Sequence, residues 1–567
     1  MQDFIPEKPC LVETGRGFSV SYKNRLLYSK YDPKKSVLRA VSDFQMLPGT
    51  LVLALSPALW YGLDELSEKA GGDSFILAIE TDSQLYELSR DALKKIGAKK
   101  NVAFLPHSEI NNIVELISGT RTSEHMTLPP PGSFKRARSI EMSGGVGLDR
   151  DFYAAIASAC EDAVASFWKN RITLTRMGKL YSTNVFKNLA RLGKSSGAAP
   201  SVSTIASHTK SVAKPILVVG AGESAEATLK ALCAYGREGF FVLCVDAAVP
   251  LLSSLAIVPD GVVALESQLA IEKAYIGGGA KKSIIFADIS SREEVTHHTS
   301  TEVSYFATRF APARFFDQLS QKPFFPPTVP PLGSVGLTAT LLALRLRKND
   351  DIPVVVTGLD FSFSLGKTHE NGTYPHINRL SSSGRLFPAE NYDAAFKKSA
   401  SSFTGKDGKR TFTDKALYSY ALMFAHTFRG TKNLFDIAPS GTDLAIARAT
   451  AEEAIALAKS GGKGGAAAQN KESVDFNKEI TDYLEGEEKT LNRIKELLMF
   501  GKDVAKCGVS VEAELESLVS CREYLFLHFP DGFKCAVHDL SFLKRVRVEV
   551  DFFLKTITRA LKAVRTA

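Results

Sequence analysis

The sequence predicts an α/β protein in three parts: a small N-terminal α/β domain, a central domain built on a parallel sheet, and a C-terminal helical bundle. Three observations carry that expectation. Residues 215–268 run strand, glycine turn, helix, strand, helix, strand. Residues 50–105 show the same alternation in shorter form. Beyond Gly441 the strand signal stops, and leucine, isoleucine and valine recur at helical spacing. Alternating strands and helices feed a parallel sheet covered on its faces, whereas successive amphipathic helices pack on one another.

At 567 residues the chain has the length of roughly three or four domains. Its 44% hydrophobic and 23% charged residues are those of an ordinary globular protein. The net charge of +8 is mild for this length; it suits an anionic small ligand and gives no ground for a nucleic-acid partner. Seven cysteines (Cys10, Cys160, Cys233, Cys244, Cys507, Cys521 and Cys535) are scattered without a CxxC pair, so neither a disulfide framework nor a structural zinc site is expected. Buried free thiols in a reducing cytoplasm fit instead. The start lacks a basic-then-apolar leader. The early apolar run Leu51 to Leu63 is broken by Ser56 and Pro57 and is too short to span a bilayer.

Residues 1–128 form the expected first domain, Rossmann-like in pattern. Strands over Thr50–Leu55, Phe75–Ile79 and Val102–Leu105 alternate with helices over Trp60–Lys69 and Gln84–Lys95. Glu80 closes the second strand, where nucleotide-binding folds place a ribose-binding carboxylate. The first turn, Leu55-Ser56-Pro57-Ala58, has no glycine pair to admit a pyrophosphate, so a structural role is expected. Residues 129–214 connect this domain to the next. Pro129-Pro130-Pro131 is stiff, and Lys135, Arg136 and Arg138 read as a solvated basic loop. Asp149-Arg150-Asp151 has the form of a metal-binding DxD, but it opens a helix over Asp151–Ala190, whose dipole favours acids there, so it reads as a cap. Gly193 to Lys214 reads as a linker or an ordered crossing loop.

The central domain, residues 215–440, opens with a β-branched strand, Ile216 to Val219, then Gly220-Ala221-Gly222-Glu223-Ser224, then a helix over Ala225–Ala234. Glycines let backbone approach a ligand, a helix N-terminus offers free N–H groups to an anion, and Ser224 adds a hydroxyl donor or a cap. The turn reads as a phosphate cradle or, on local pattern alone, as a tight strand-to-helix turn, since it lacks both the third glycine of the dinucleotide fingerprint and a P-loop lysine. Further strands end at Asp246, Glu266 and Asp288. Pro323 to Pro331, with five prolines, reads as an irregular exposed connection. Gly333-Ser334-Val335-Gly336 opens a helix over Leu337–Leu346 and forms a second N–H turn. A strand over Pro353–Thr357 leads to Gly358-Leu359-Asp360. From Ser364 to Thr413 periodicity fails, as expected of a lid over the site or of an insertion. His369 follows Asp360 and has the pKa range to take a proton from a hydroxyl. His297-His298 and His376 have no accompanying ligand set, so no metal site is expected.

After Gly441 the expected elements are a helix over Thr442–Lys459, a glycine-alanine linker over Ser460–Ala468, and amphipathic helices. Their apolar faces carry Ile480, Leu484, Leu491, Ile494 and Leu498, then Leu515, Leu518 and Leu525, then Val546, Val550, Phe553, Ile557, Leu561 and Val564. This is residues 441–567, the helical bundle.

The ordered series GAGES (220–224), VDAAVPLL (245–252), IVPDGVVALES (257–267), GSVGLTATLLAL (333–344) and VVVTGLDFSFSLGKTHENG (354–372) resembles the motility-associated factor (Maf) glycosyltransferase family, best over residues 170–440. Where that family has GxGPSL, Glu223 replaces the proline and Ala225 the leucine. Glu266 stands where its third strand ends in aspartate. GQDL becomes Gly358-Leu359-Asp360, and its Thr-His pair is Thr368-His369. The resemblance implies a sialyltransferase-like central domain (GT-A-like or Rossmann). It further implies transfer of a nonulosonic, sialic-acid-like sugar from a CMP donor to Ser/Thr hydroxyls of bacterial flagellin. No metal cofactor is expected, because no DxD ends a central strand and the basic residues of the 364–413 segment, Lys397 among them, can offset phosphate charge. In that reading Gly220, Gly222 and Ser224 hold the nucleotide, with Ser334 and Val335 as the second N–H turn. Asp246, Glu266 and Asp360 bond ribose, base or sugar hydroxyls. His369, with Asp360, is catalytic, as general base or by neutralising phosphate charge. The wider MptE-like superfamily includes archaeal 6-hydroxymethylpterin pyrophosphokinases, which implies an ATP- and magnesium-dependent alternative with Asp246, Asp288 and Asp360 as ligands. A non-catalytic nucleotide or flagellin binder is the third reading, because a carboxylate at Glu223 would repel a phosphate beside it.

Overall fold

The computed structural model describes residues 8–97, 99–119, 121–194, 200–235, 239–310, 313–461, 476–499, 509–532 and 534–566. They divide into two compact units: Met1–Arg176 with Phe529–Phe533, and Met177–His528 with Lys534–Ala567.

In the first unit, β1 (Cys10–Glu13), β2 (Phe18–Tyr22) and β3 (Arg25–Leu26) form an antiparallel meander. Next come β4 (Thr50–Leu55), β5 (Phe75–Ile79), β6 (Val102–Phe104) and β7 (Arg136–Glu141), a parallel sheet in the order β6-β5-β4-β7. Strands β4 and β5 are apolar throughout because both faces are covered. Val52, Ala54, Ile76 and Ala78 pack with Leu63 and Leu66. The alternate residues Leu51, Leu53, Leu77 and Ile79 pack with Ile113, Tyr153 and Ile156. Strand β7 corrects two expectations. Arg136 and Arg138 belong to a strand paired with β4, not to a solvated loop, and the first sheet runs past residue 128. Glu80 is buried and fully engaged: Ser56 donates to it at 2.8 Å and Tyr153 at 2.7 Å, and burial holds its pKa above the ordinary range.

The second unit carries a ten-stranded sheet. Its strands are β8 (Ser201–Thr204), β9 (Ile216–Val219), β10 (Phe241–Val245), β11 (Gly261–Ala264), β12 (Ile284–Asp288), β13 (Glu302–Thr308), β14 (Thr328–Val329) and β15 (Val354–Thr357). A separate hairpin, β16 (Ala400–Thr404) with β17 (Arg410–Asp414), intervenes before β18 (Leu434–Asp436) and β19 (Ala447–Arg448) complete the sheet. The order is β14-β13-β12-β11-β10-β9-β15-β18-β19, with β8 also on β13, and every pair is parallel. The sequence reading missed β8, β13, β14, β18 and β19; the last lies where a helix over Thr442–Lys459 was expected, and the helix there runs Ala451–Gly461. Strand β8 lies in the expected linker. Strand β14 lies in the proline stretch, whose Phe324 and Val329 are buried rather than exposed. The stretch from Ser364 to Thr413 is structured too, with helices Tyr374–Ser381 and Tyr392–Phe396 beside the hairpin.

From β9 the chain builds outward through β10 to β13, then returns to place β15 and β18 on the other side of β9. The order therefore reverses between β9 and β15, which opens a crevice at their carboxyl ends. The ends of β11 and β12 are closed. Asn184 and Asn188, on the helix Arg150–Leu192, donate to the carbonyls of Ser267 and Ser290 and of Ile289 and Ser291.

The C-terminal helices Asn477–Met499, Val509–Ser520 and Leu540–Arg565 bury the expected stripes, with Leu497 and Val519 in the core where Leu498 and Leu518 were expected. They share the second unit with the sheet: Phe186 meets Tyr524 and Phe553 edge-on at 5.1 and 5.9 Å. Past Gly461 the glycine-alanine stretch lies outside the described residues, as does Cys507. Cys160 and Cys244 are buried thiols, but Cys10, Cys233 and Cys521 are exposed. Among the described residues no helix is long and apolar enough to cross a membrane.

Candidate functional site

The turns after β9 and β15 are bonded to each other. Gly220 N–H donates to Thr357 O at 2.8 Å, and Gly222 N–H donates to Gly358 O at 2.9 Å. A Cβ at Gly222 would stand 2.6 Å from Asp360 Oδ2 and 2.7 Å from Gly358 O, and one at Gly220 would strike Gly358 O. Closeness of two backbones therefore requires both glycines before any ligand is considered. Ser224 is buried between the turns. Its hydroxyl donates to Asp360 Oδ1, its N–H to Oδ2 at 2.8 Å, and the hydroxyl oxygen accepts from Gly358 N–H at 3.1 Å. Burial raises the Asp360 carboxyl to about 6 despite those bonds and the charge of Lys406, itself paired with buried Asp436.

A cavity of about 480 Å³ opens over these turns. Of the expected residues, Gly220, Gly222, Asp246, Ser334, Val335, Asp360 and His369 line it. Asp246, at the end of β10, accepts from Ala247 N–H at 2.7 Å through Oδ1. Its Oδ2 is buried with no hydrogen-bond partner among the described residues, and burial, with Glu266 adding repulsion, lifts the group to about 7. Such an oxygen is costly unless a donor reaches it. Across the cavity the helix Val335–Leu346 begins at Ser334, whose side chain makes no cap bond, so the first N–H groups of that helix lie uncapped in the wall.

His369 shares the wall, with Nδ1 at 3.3 Å from the Thr368 hydroxyl. Its ring is exposed to solvent at the cavity, and partial desolvation by the protein around it lowers its pKa below the ordinary 6.5. It is a neutral imidazole near pH 7 and available as a proton acceptor.

Three expectations change. Ser224 and Glu266 are not in the cavity lining. Ser224 instead braces Asp360, while Glu266 Oε1 accepts from the Ser267 and Gln268 N–H groups at 2.9 and 3.1 Å. Asp360 lines the cavity, but both of its oxygens are held by Ser224, which makes it a positioning group rather than a free acid or base. Glu223 does not stand free beside a phosphate. It accepts from Ser364 Oγ at 2.6 Å and Ser364 N at 3.2 Å, tying the glycine turn to the start of the 364–413 segment, which Glu370 N–H fastens again at Ala221 O, 3.0 Å away.

Sequence reasoning missed Asn391 and Asp414, and counted Lys397 only among the basic residues of the 364–413 segment. Lys397 is the one Lys or Arg in the lining. Asp414 carried a readable signal, since it is the N-cap of the helix Lys415–Phe428. Nothing marked Asn391. Among the described residues no group of three His, Cys, Asp or Glu is placed to hold a metal. The three carboxylates named for magnesium fit it poorly. Asp288 accepts from Ser290 and Thr308 through its two oxygens and is not in the lining, and Asp360 is occupied as above, so only Asp246 has an unpartnered oxygen.

Residues 183–366 match the 6-hydroxymethylpterin diphosphokinase MptE-like family. A Treponema pallidum (strain Nichols) protein named "Uncharacterized protein" is 32% identical over 574 residues, covering 97% of this chain and 95% of that one. Among solved structures, the Maf glycosyltransferase from Magnetospirillum magneticum AMB-1 aligns over 98% of this chain and 91% of its own, with a TM-score of 0.49 and 13% identity.

Proposed function

The chain belongs to one family with the Treponema pallidum protein, and its residues 183–366 match the MptE-like family model; we propose that it is a cytoplasmic glycosyltransferase whose central cavity binds a nucleotide-activated sugar. The finer reading is transfer of a nonulosonic acid from CMP to Ser/Thr hydroxyls of flagellin, and the order of the sequence motifs supports it. The observation that carries the nucleotide is Asp246. Its buried, unpaired Oδ2 ends the strand beside β9, next to the crevice, where a ribose hydroxyl supplies the missing donor.

Around it, the uncapped start of Val335–Leu346 receives the phosphate, and the glycine turn, whose Gly220, Gly222 and Ser224 N–H groups are already taken, forms the floor beneath it. The acceptor oxygen attacks the anomeric carbon as the bond from that carbon to the CMP phosphate oxygen breaks. CMP leaves as the phosphate anion and needs no strong acid. The transition state carries oxocarbenium character. The hydroxyl proton passes to His369, with Nε2 the nitrogen left for it because Nδ1 faces Thr368. Asp360 and Ser224 keep the two turns in register.

The family match favours one second reading, pyrophosphoryl transfer from ATP to a hydroxymethylpterin. Two assays separate the readings. Purified protein incubated with a CMP-nonulosonate and flagellin should raise the intact mass of flagellin by one sugar residue. Incubation with ATP, magnesium and 6-hydroxymethylpterin should yield no diphosphate product, and its appearance would overturn the glycosyltransferase reading.

A further inference from the structure

A second cavity, of about 270 Å³, adjoins the first and shares Thr368, His369 and Asn391 with it. Its other walls come from the segment after β15 and the helix Tyr374–Ser381, and they are rich in hydrogen-bond donors. Arg379 is fixed in place: Nε donates to Ala389 O at 2.7 Å and Nη2 to Glu390 O at 2.8 Å, which leaves Nη1 with no partner among the described residues. His376 is fixed as well. Its Nδ1 accepts from Gly372 N–H at 3.1 Å, which leaves the ring's N–H on Nε2. Lys367 is already paired with Glu370, and Glu390 is the one acid in the lining and is exposed. An immobilised guanidinium and a directed imidazole N–H, with little opposing negative charge, fit a carboxylate.

We propose that this cavity holds the carboxylate-bearing part of the donor sugar, with Arg379 and His376 as the groups that select an acidic sugar. The inference rests on the donor reading above. The nucleotide sits over the glycine turn, and the sugar reaches across the shared residues, which brings its anomeric carbon to His369.

Calorimetry with CMP and with CMP-N-acetylneuraminate tests it on the full chain. The wild type should bind the sugar nucleotide about tenfold or more tighter than CMP, the worth of one charge-assisted contact. Arg379→Gln should lose most of that gain while keeping CMP affinity within about twofold. Because Arg379 also holds two carbonyls, His376→Asn is the second variant: its side-chain oxygen can still accept from Gly372 N–H, but it cannot place a donor where Nε2–H stood. An equal gain in wild type and both variants would overturn the carboxylate site and leave the donor reading standing. Failure of the wild type to bind CMP at all would overturn the donor reading and this inference with it.

Discussion

Ser224 and Asp360, 136 residues apart in sequence, are joined twice, backbone N–H to one carboxylate oxygen and hydroxyl to the other. Ser224→Ala keeps the N–H but strips Asp360 of one donor and Gly358 N–H of its acceptor. Loss of a buried hydrogen-bonding partner costs about 1–3 kcal/mol. The variant should melt earlier, and hydrogen exchange at the Gly358 amide should quicken most. Unchanged protection at Gly358 would mean the serine is not the brace.

Gly222→Ala is expected to fail through the fold first. The added methyl meets Asp360 and Gly358 rather than open space. Thermal stability and CMP affinity should fall together, by about 1–3 kcal/mol in stability for a forced contact of this size. A variant as stable as wild type that binds no CMP would show instead that the glycine serves the ligand alone.

The buried carboxyls set a pH dependence. Asp360 at about 6 and Asp246 at about 7 both lie above their ordinary 3.8. Below about 3.8 folded and unfolded forms are both protonated and nothing is lost. As pH rises the unfolded carboxyls ionise first, so stability falls across the window up to about 6 for Asp360 and about 7 for Asp246, and is then constant. Asp246→Asn removes its share. It should be more stable than wild type at about pH 8, by about 1–3 kcal/mol, and no more stable at about pH 4. The same variant should bind CMP more weakly. Melts at the two pH values and one titration check both halves.

His369→Ala should lower turnover by about 10²–10⁴-fold with CMP affinity nearly unchanged. In the wild type the acid limb of the kcat profile should fall below the ordinary histidine value of 6.5, because desolvation disfavours the charged ring. A large loss of CMP affinity would reassign His369 to the phosphate.

Transfer should persist in EDTA. The expectation follows from Asp288 and Asp360, whose oxygens are engaged by protein donors, and from Lys397 in the cavity wall. Activity abolished by EDTA and restored by magnesium would refute it.

The strands with near-continuous apolar runs, β9, β10, β12 and β15, were readable because a strand covered on both faces needs no alternation. Strand β13, Glu-Val-Ser-Tyr-Phe-Ala-Thr, was not, since its buried Ser304 and Tyr305 break the apolar run. Strand β7 was hidden by two arginines that its exposed positions tolerate. At the site, the glycine turns and Asp246 were visible as local patterns. The occupancy of Asp360 and Glu223 was not, because each is decided by a partner more than 130 residues away. Glu223 looked like a liability in the sequence and is an anchor in the structure.

Asn184 and Asn188 leave this sheet with one working end. Two amide side chains from a single helix satisfy four strand-end carbonyls that would otherwise call for water or ligand. The cavity lies instead at the other half of that edge, beside residues 364–414. That segment is fastened to the scaffold at separate points, by Glu223, by Glu370, by the buried Lys406–Asp436 pair and by Thr411 and Thr413, so its exposed side chains can change in sequence while the clamped half keeps the strand order unchanged.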